Sequence, residues 1–419
     1  MKIALLHYSA LPIVGGVESV IGEHARLMAD AGHEVRIVAG RGGQMDERIP
    51  FICIPTLDSR HEEVLKTKAE LDQGRVPKEF DQLIEKITAK LRKVVGGMDI
   101  LIAHNVCSLH KNLALTAALR QRLGARGMPR LILWHHDLAW TTPRYRDELH
   151  DGYPWDLLRA DWPGAVHIAV SEPRQREFAN LLRVPTARIE VIPNGIDIGS
   201  FLKLEAQTLG FVKRLGLLKA MPLLLLPVRL TPRKNIELAL HVLASLRKQY
   251  RRAALVVTGP LGPHNPANVE YFERITMLRA KLGLIGSAHF LAEFTSDFLP
   301  HAVIADFYRL ADALFMPSRE EGFGIPILEA GLAGLTVFCS DIEALRILGG
   351  EHVLYFSPNA EPEEVAARIA SQLESQPTFG LRFQVRENFT WEGIYTQQIA
   401  PLLERLQGRE NTSLSQAQV

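Results

Sequence analysis

One pattern constrains the fold more than any other, because it occurs twice. An apolar strand over residues 2–8, a helix over 17–31 and a second strand over 34–39 form a strand-loop-helix-strand unit. The same order returns as a strand over 223–228, a loop from Arg229 to Asn235, a helix over 236–249 and a strand over 254–258. Each unit joins parallel strands through a crossover helix, so the repetition predicts two Rossmann-like, doubly wound α/β domains rather than one long sheet. The length agrees, since 419 residues with 47% hydrophobic side chains are too many for a single core.

The first half continues with strands over 99–103, ending at His104-Asn105, and over 130–134, ending at His135-His136-Asp137. A charged helical region over 60–95 and a helix over 109–122 lie between these elements, and strands over 165–171 and 189–192 follow. Pro193-Asn194-Gly195-Ile196-Asp197 is turn-rich and marks a domain boundary, with irregular polar sequence expected to about Ala220. The second half adds a loop over 259–268, helices over 269–282, 304–311 and 362–373, and strands over 289–291, 313–316 and 336–339. An amphipathic helix over 391–406 ends the ordered chain, and 408–419 reads as a disordered tail. The expected domains are residues 1–200 with the returning helix 388–407, and residues 201–387.

Lys+Arg 48 against Asp+Glu 47 leaves no field to capture nucleic acid, so bound phosphate needs a local constellation. Three scattered cysteines, Cys53, Cys107 and Cys339, do not build a disulfide framework and suit a reducing, cytoplasmic compartment. The start Met1-Lys2-Ile3-Ala4-Leu5-Leu6 reads as a first strand rather than a signal peptide, and no apolar run approaches the roughly 20 residues of a membrane span.

The densest chemistry lies in Pro317-Ser318-Arg319-Glu320-Glu321-Gly322-Phe323-Gly324-Ile325-Pro326-Ile327-Leu328-Glu329. Two carboxylates, Glu321 and Glu329, flank a glycine-rich turn between a strand and a helix. Amides from Gly322 to Ile325 would stand free at the helix N-terminus, where orphan donors favour oxygen-rich groups. Arg229 and Lys234, on the loop after the first strand of the second half, offer a fork and a point charge to a diphosphate on the same carboxyl edge. Gly15-Gly16 before the first helix is open to two readings, a phosphate meeting backbone amides or a sharp turn alone.

Four of the five tryptophans fall between Trp134 and Trp162, with Tyr145, Tyr153, Arg144 and Arg146 among them. They read either as a sugar-stacking wall or as packing for a long excursion. His104, Cys107 and His110 are spaced like metal ligands but lack a fourth. Gly-x-Gly-x-x-Gly, Gly-x-x-x-x-Gly-Lys and Gly-x-Ser-x-Gly patterns are all missing, which removes hydride transfer, nucleotide hydrolysis and serine hydrolysis.

Taken together, Gly15-Gly16, His136-Asp137, Pro193-Asn194-Gly195-Ile196-Asp197, Arg229 with Lys234, and the run from Glu321 to Glu329 resemble the retaining glycosyltransferases of family 4, which have the GT-B fold. The resemblance implies two Rossmann-like domains flanking a cleft, the first taking the acceptor and the second a nucleoside diphosphate sugar. It assigns Arg229 and Lys234 to the diphosphate, Glu329 to the ribose, and Glu321 to the donor sugar with amides of Gly322, Phe323, Gly324 and Ile325. It places His136 near that sugar, Gly15-Gly16 at the diphosphate and the base near Phe290-Leu291-Ala292. Glu321, His136, Arg229 and Lys234 form the expected catalytic set.

The implied activity is retaining transfer of a hexose, glucose or mannose, to a hydroxyl of a soluble sugar, sugar acid or glycan. The sequence has no Asp-x-Asp pattern for a sugar-nucleotide metal, so no metal and no cofactor are expected. Acceptor contacts are expected from His104, Lys111, Asp137, Trp140, Arg144 and Arg146. A lipid acceptor with peripheral membrane contact, a nucleotide-sugar epimerase and a non-catalytic sugar-nucleotide binder remain as alternatives; no nucleic acid partner is expected.

Overall fold

The computed structural model describes residues 1–122, 127–261, 266–295 and 298–416. The chain divides into two compact units, Met1–Gly195 with Trp391–Val419, and Ile196–Thr390.

The first unit is built on a parallel sheet of β1 (Lys2–Ser9), β2 (Glu34–Arg41), β3 (Phe51–Cys53), β4 (Ile100–His104), β5 (Arg130–His135), β6 (Val166–Ala169) and β7 (Ile189–Val191). Their spatial order is β3-β2-β1-β4-β5-β6-β7. Alternation explains why both faces are apolar. Ala4, Leu6 and Tyr8 of β1 enter one core with Leu101, Ala103, Leu131 and Leu133. Ile3 and Leu5 enter the opposite core with Ile100, Ile102, Ile132 and Trp134. That second core is closed by the helix Gly16–Asp30 and by the end of the chain, where Trp391, Ile394, Tyr395, Ile399, Leu402, Leu403 and Leu406 are buried.

The terminal helical stretch runs through Trp391–Ile394, Tyr395–Ile399 and Ala400–Gln416, beyond the 406 end expected from the sequence. Residues 417–419 of the expected tail lie outside the described residues.

The second unit carries β8 (Leu223–Leu226), β9 (Ala254–Val257), β10 (Ala288–Phe290), β11 (Ala313–Met316), β12 (Thr336–Ser340) and β13 (Leu354–Phe356), in the parallel order β10-β9-β8-β11-β12-β13. Its strands are short, continuous apolar runs with a single core around them, as expected of strands covered by helices on both faces. The irregular stretch expected up to Ala220 is instead partly helical. Ala206–Leu215 forms a helix whose Phe211 and Val212 are buried and which ends on Gly216 at φ 64°. The loop expected over 259–268 falls partly on residues 262–265, outside the described residues.

In both sheets the strand order reverses at one place, between β1 and β4 in the first unit and between β8 and β11 in the second. Such switch points open a crevice at the carboxyl ends of the strands, where open α/β sheets take ligands. Gly15-Gly16, His104-Asn105, Arg229 with Lys234 and the run from Glu321 follow these four strands, and His136-Asp137 follows β5, the neighbour of β4.

Candidate active site

At the switch point of the second unit, the loops after β8 and β11 meet. Lys234 Nζ lies 2.6 Å from Glu321 Oε1, and the two side chains are only 9% and 7% exposed. Ser318, fully buried directly after β11, donates its hydroxyl to the same oxygen at 2.7 Å. Arg319 N–H donates to Arg233 O at 2.8 Å, and the Arg319 guanidinium donates to Asn235 Oδ1 at 3.2 Å and Asn359 Oδ1 at 2.6 Å. Asn235 sits at φ 51°, the left-handed turn that ends the short Pro232–Lys234 helix and starts Ile236–Gln249. These bonds pin the two loops together and hold Lys234 against Glu321.

Two glycines shape this edge. Gly259, in the loop after β9, runs so close to the loop after β8 that a Cβ would come 2.0 Å from Val228 O and 2.6 Å from Arg229 N, so no other residue fits without moving backbone. Gly324 has φ 104° and a Cβ there would come 2.7 Å from Leu345 Cδ2. It precedes Ile325–Leu332, whose first turn holds Pro326 and has no side-chain cap. Among the described residues, the amides of Gly322, Phe323, Gly324 and Ile325 donate to nothing and remain available to a ligand. Arg229 is exposed and forms no ion pair among the described residues. Glu329 accepts the Tyr308 hydroxyl at 2.5 Å, and burial together with this carboxylate pushes the Tyr308 phenol pKa up.

Leu291, where the base contact is expected, is fully buried, and its carbonyl accepts from the amides of Phe294 at 2.9 Å and Thr295 at 3.3 Å.

At the carboxyl edge of the first unit, imidazoles gather beside the carboxylates of Glu18 and Asp137. His136 Nε2 lies 3.1 Å from His104 Nδ1, and His7 Nδ1 lies 2.7 Å from His104 O. Asn105, at φ 57°, orders the neighbouring turn by accepting from the amides of His136 at 2.8 Å and Asp137 at 3.1 Å and donating to Asp137 Oδ2 at 3.3 Å. Burial lowers His136 and His24 to about 3 and His7 to about 4, and holds His104 well below its ordinary value. The rings are therefore neutral near pH 7. Glu18 folds back over the glycine loop: it accepts Ser9 Oγ at 2.6 Å, and a Cβ on Gly15 would come 2.1 Å from its Oε2. Gly16 is exposed with open space where a Cβ would be.

The tryptophan-rich excursion packs the first unit. Trp134, Trp155 and Trp162 are buried, so the sugar-stacking wall is corrected for them. Trp140 donates to Trp155 O at 3.2 Å and carries the Arg159 guanidinium 3.8 Å above its ring, which covers one face. Arg144 and Lys111 are exposed, with Arg144 lying over Tyr145. His104 is fully buried and so stands behind His136 rather than at the surface.

His104, Cys107 and His110, spaced like metal ligands in the sequence but without a fourth, each have other surroundings. His110 Nε2 bonds Glu148 at 2.5 Å, Cys107 is buried, and His104 bonds His136. Among the described residues the one group with metal-ligand spacing is Asp72, His110 and Glu148. The Lys68 ammonium already stands in it, 2.6 Å from Asp72 and 2.7 Å from Glu148.

Residues 14–200 match the family model described as Glycosyltransferase Family 4, and residues 212–390 match that of Glycosyl transferases group 1. The chain is a glycosyltransferase of the GT-B fold. As an enzyme it is a hexosyltransferase. It is similar to a mannosylglucosylglycerate synthase of Petrotoga mobilis, 24% identical over 79% of this chain and 80% of the relative. An MMP alpha-(1->4)-mannosyltransferase of Mycolicibacterium hassiacum is 25% identical over 96% of this chain and 97% of its own. A D-inositol 3-phosphate glycosyltransferase of Frankia alni is 31% identical over 44% of each chain.

Four residues of the glycosyltransferase's two clusters escape a reading by motif: Ser318, Tyr308, Asn105 and Glu18. Ser318 and Asn105 had a usable signal, a polar residue in the first two positions after an apolar strand. Tyr308 had none, since its partner lies on another helix. No helix among the described residues is long and apolar enough to cross a membrane.

Proposed function

We propose that this glycosyltransferase moves a hexose, glucose or mannose, from a nucleoside diphosphate sugar to a hydroxyl of a soluble sugar, sugar acid or glycan, with retention and without a metal. The observation that carries the reading is the Lys234–Glu321 pair, buried at a switch point beside free amides and an exposed Arg229. Lys234 and Arg229 offset charge on the departing diphosphate, a preorganised electrostatic contribution. Glu321 and the amides from Gly322 to Ile325 hold sugar hydroxyls, while Glu329, fixed by Tyr308, holds the ribose. His136 offers a neutral ring to a sugar hydroxyl, and the Gly15-Gly16 loop serves the diphosphate.

In this reading the bond from the anomeric carbon to phosphate breaks as the bond to the acceptor oxygen forms on the same face. The acceptor proton passes to the departing phosphate oxygen, so no protein nucleophile takes part. Names of relatives that speak of glycerate and inositol 3-phosphate favour a small anionic acceptor, for which Lys111, Arg144 and Arg146 are exposed cations and Asp137 and Trp140 further contacts. Free cysteines fit a cytoplasmic setting.

The test is transfer in the presence of chelator: activity persists in excess EDTA, whereas loss that manganese restores refutes metal independence. Glu321→Ala and Arg229→Ala should each cost about 2–4 kcal/mol of transition-state stabilisation. Folded variants within a few-fold of wild type would overturn the site assignment.

A further inference from the structure

The His104–His136 contact fixes where one proton lies. Both rings are neutral near pH 7, because burial lowers both pKa values. A neutral imidazole carries a single N–H, so one ring donates across the 3.1 Å contact and the other accepts. Two arrangements satisfy this. In the first, His104 Nδ1–H donates to His136 Nε2, leaving His104 Nε2 as a bare lone pair. In the second, His136 Nε2–H donates to His104 Nδ1, and the His104 proton must sit on Nε2.

His104 Nε2 is sealed from solvent and has no hydrogen-bond partner. Its ring is fully buried, stacked on Trp134 at 5.6 Å between centroids and facing His24 at 5.4 Å. Both nitrogens of His24 are likewise sealed and unpartnered, and that ring stands edge-on to Trp134 and Trp391. A buried N–H without an acceptor is rarer in folded proteins than an under-used acceptor. The first arrangement avoids placing a donor there.

We infer that His104 is a positioning residue that donates from Nδ1 to His136 Nε2 and thereby holds His136 in the tautomer with its proton on Nδ1. His136 Nδ1 forms no hydrogen bond among the described residues and is not among the atoms sealed from solvent. The consequence is that His136 presents a hydrogen-bond donor to whatever occupies the carboxyl edge of the first unit. With the opposite tautomer it would present an acceptor. Because sugar hydroxyls accept as readily as they donate, the tautomer selects which role the hydroxyl plays, and it leaves a hydroxyl proton free for a carboxylate elsewhere. Orientation of one histidine by a second hydrogen bond to its far nitrogen is the general way a protein sets a tautomer. The backbone supports the arrangement, since Asn105 accepts from the amide of His136 and His7 bonds the carbonyl of His104.

This rests on the proposed role of His136 at a donor sugar, and the experiment separates the two. The full chain with 15N-labelled histidine is examined by long-range 1H–15N correlation at pH 7, with the His136 signals assigned by comparison with His136→Asn. The expected result is a protonated-type Nδ1 and an unprotonated-type Nε2. A protonated Nε2 in the wild-type protein overturns the inference with no need for a His104 variant. In His104→Phe, which keeps the ring but removes the donor, His136 should move to the Nε2–H tautomer. Transfer should drop on the order of tenfold in kcat, the scale seen when a group orienting a functional histidine is removed. His104→Asn places an amide N–H where Nδ1 stood and should restore both the spectrum and most of the rate. An unchanged His136 spectrum in His104→Phe refutes the positioning. A switched tautomer with an unchanged rate upholds the positioning and refutes the proposed role of His136.

Discussion

Removing one half of the buried ion pair in the second unit should harm the fold more than removing both. Lys234 and Glu321 approach to 2.6 Å with side chains 9% and 7% exposed. At an effective dielectric of about 20 their attraction is about 6 kcal/mol, most of which offsets the cost of taking both ions out of water. Lys234→Met leaves Glu321 as a buried carboxylate whose remaining bond is the Ser318 hydroxyl. Glu321→Gln leaves a buried ammonium. Breaking such a pair from one side typically costs about 3–5 kcal/mol, and the retained Ser318 bond places Lys234→Met near the lower end.

For a domain of this size 1 kcal/mol corresponds to roughly 2–4 °C, so each single variant should melt about 10 °C lower in the transition of the second unit. The double variant Lys234→Met/Glu321→Gln should recover part of this loss, because it strands no charge. The assay is calorimetry of the four proteins in a double-mutant cycle, with the two units' transitions resolved. If the double variant is as unstable as the sum of the singles, the two charges do not depend on one another and the pairing argument fails. Transfer should fall in all three variants, so stability and activity part company in the double variant.

Acid should destabilise the first unit before its carboxylates titrate. His7, His24, His136 and His167 have folded values lowered by burial to about 4, 3, 3 and 4, while the unfolded value is 6.5. The unfolded chain therefore binds more protons between roughly pH 4 and 6.5, and stability is lost as pH falls through that window, by about 2 kcal/mol per histidine at pH 5; denaturant midpoints unchanged between pH 7 and 5 would contradict this. Gly259→Ala should lower the melting temperature of the second unit and weaken donor binding, because its Cβ meets backbone at 2.0 Å, whereas Gly322→Ala, with nothing within 4 Å, should fold normally; equal melting temperatures would refute the close-approach reading. Tyr308→Phe removes the hydroxyl that fixes Glu329 and should raise KM for the donor several-fold with little change in kcat, as for a contact equally present before and during reaction; an unchanged KM would free Glu329 from that role.

The parts of the fold that the sequence made legible are those set by local periodicity. Helix Ile236–Gln249 and strand β11 at Ala313–Met316 fall where their apolar spacing places them. Three-residue strands such as β3 and β13 carry too few alternations to be distinguished from turns. Ala206–Leu215 was obscured by Gly210 in a short, polar-flanked segment, and Pro377–Asn388 has almost no apolar stripe, with Phe379 its one buried residue. The polar partners were less legible still. Lys234 and Glu321 are 87 residues apart, and nothing in either loop names the other. Their meeting follows from β8 and β11 becoming neighbours, with Leu224 opposite Ala313, which is a property of strand order and not of any window of sequence.

That same strand order accounts for a division of labour between the two switch points. Each unit leaves open the crevice where its strands part, yet the residues that fill them differ in kind. In the second unit the crevice holds ions and free amides: Lys234, Glu321, an exposed Arg229 and the run from Gly322 to Ile325. Charges held this way are suited to a group that is itself charged, and burial makes their field strong. In the first unit the strand ends carry imidazoles that burial keeps neutral, tied to one another and to Asn105, with the Glu18 and Asp137 carboxylates held beside them by Ser9 and Asn105. Neutral donors discriminate hydroxyls by direction. A crevice of ions and free amides suits a charged group and one lined by neutral rings suits hydroxyls, and the proposed transfer from a nucleoside diphosphate sugar calls for both kinds.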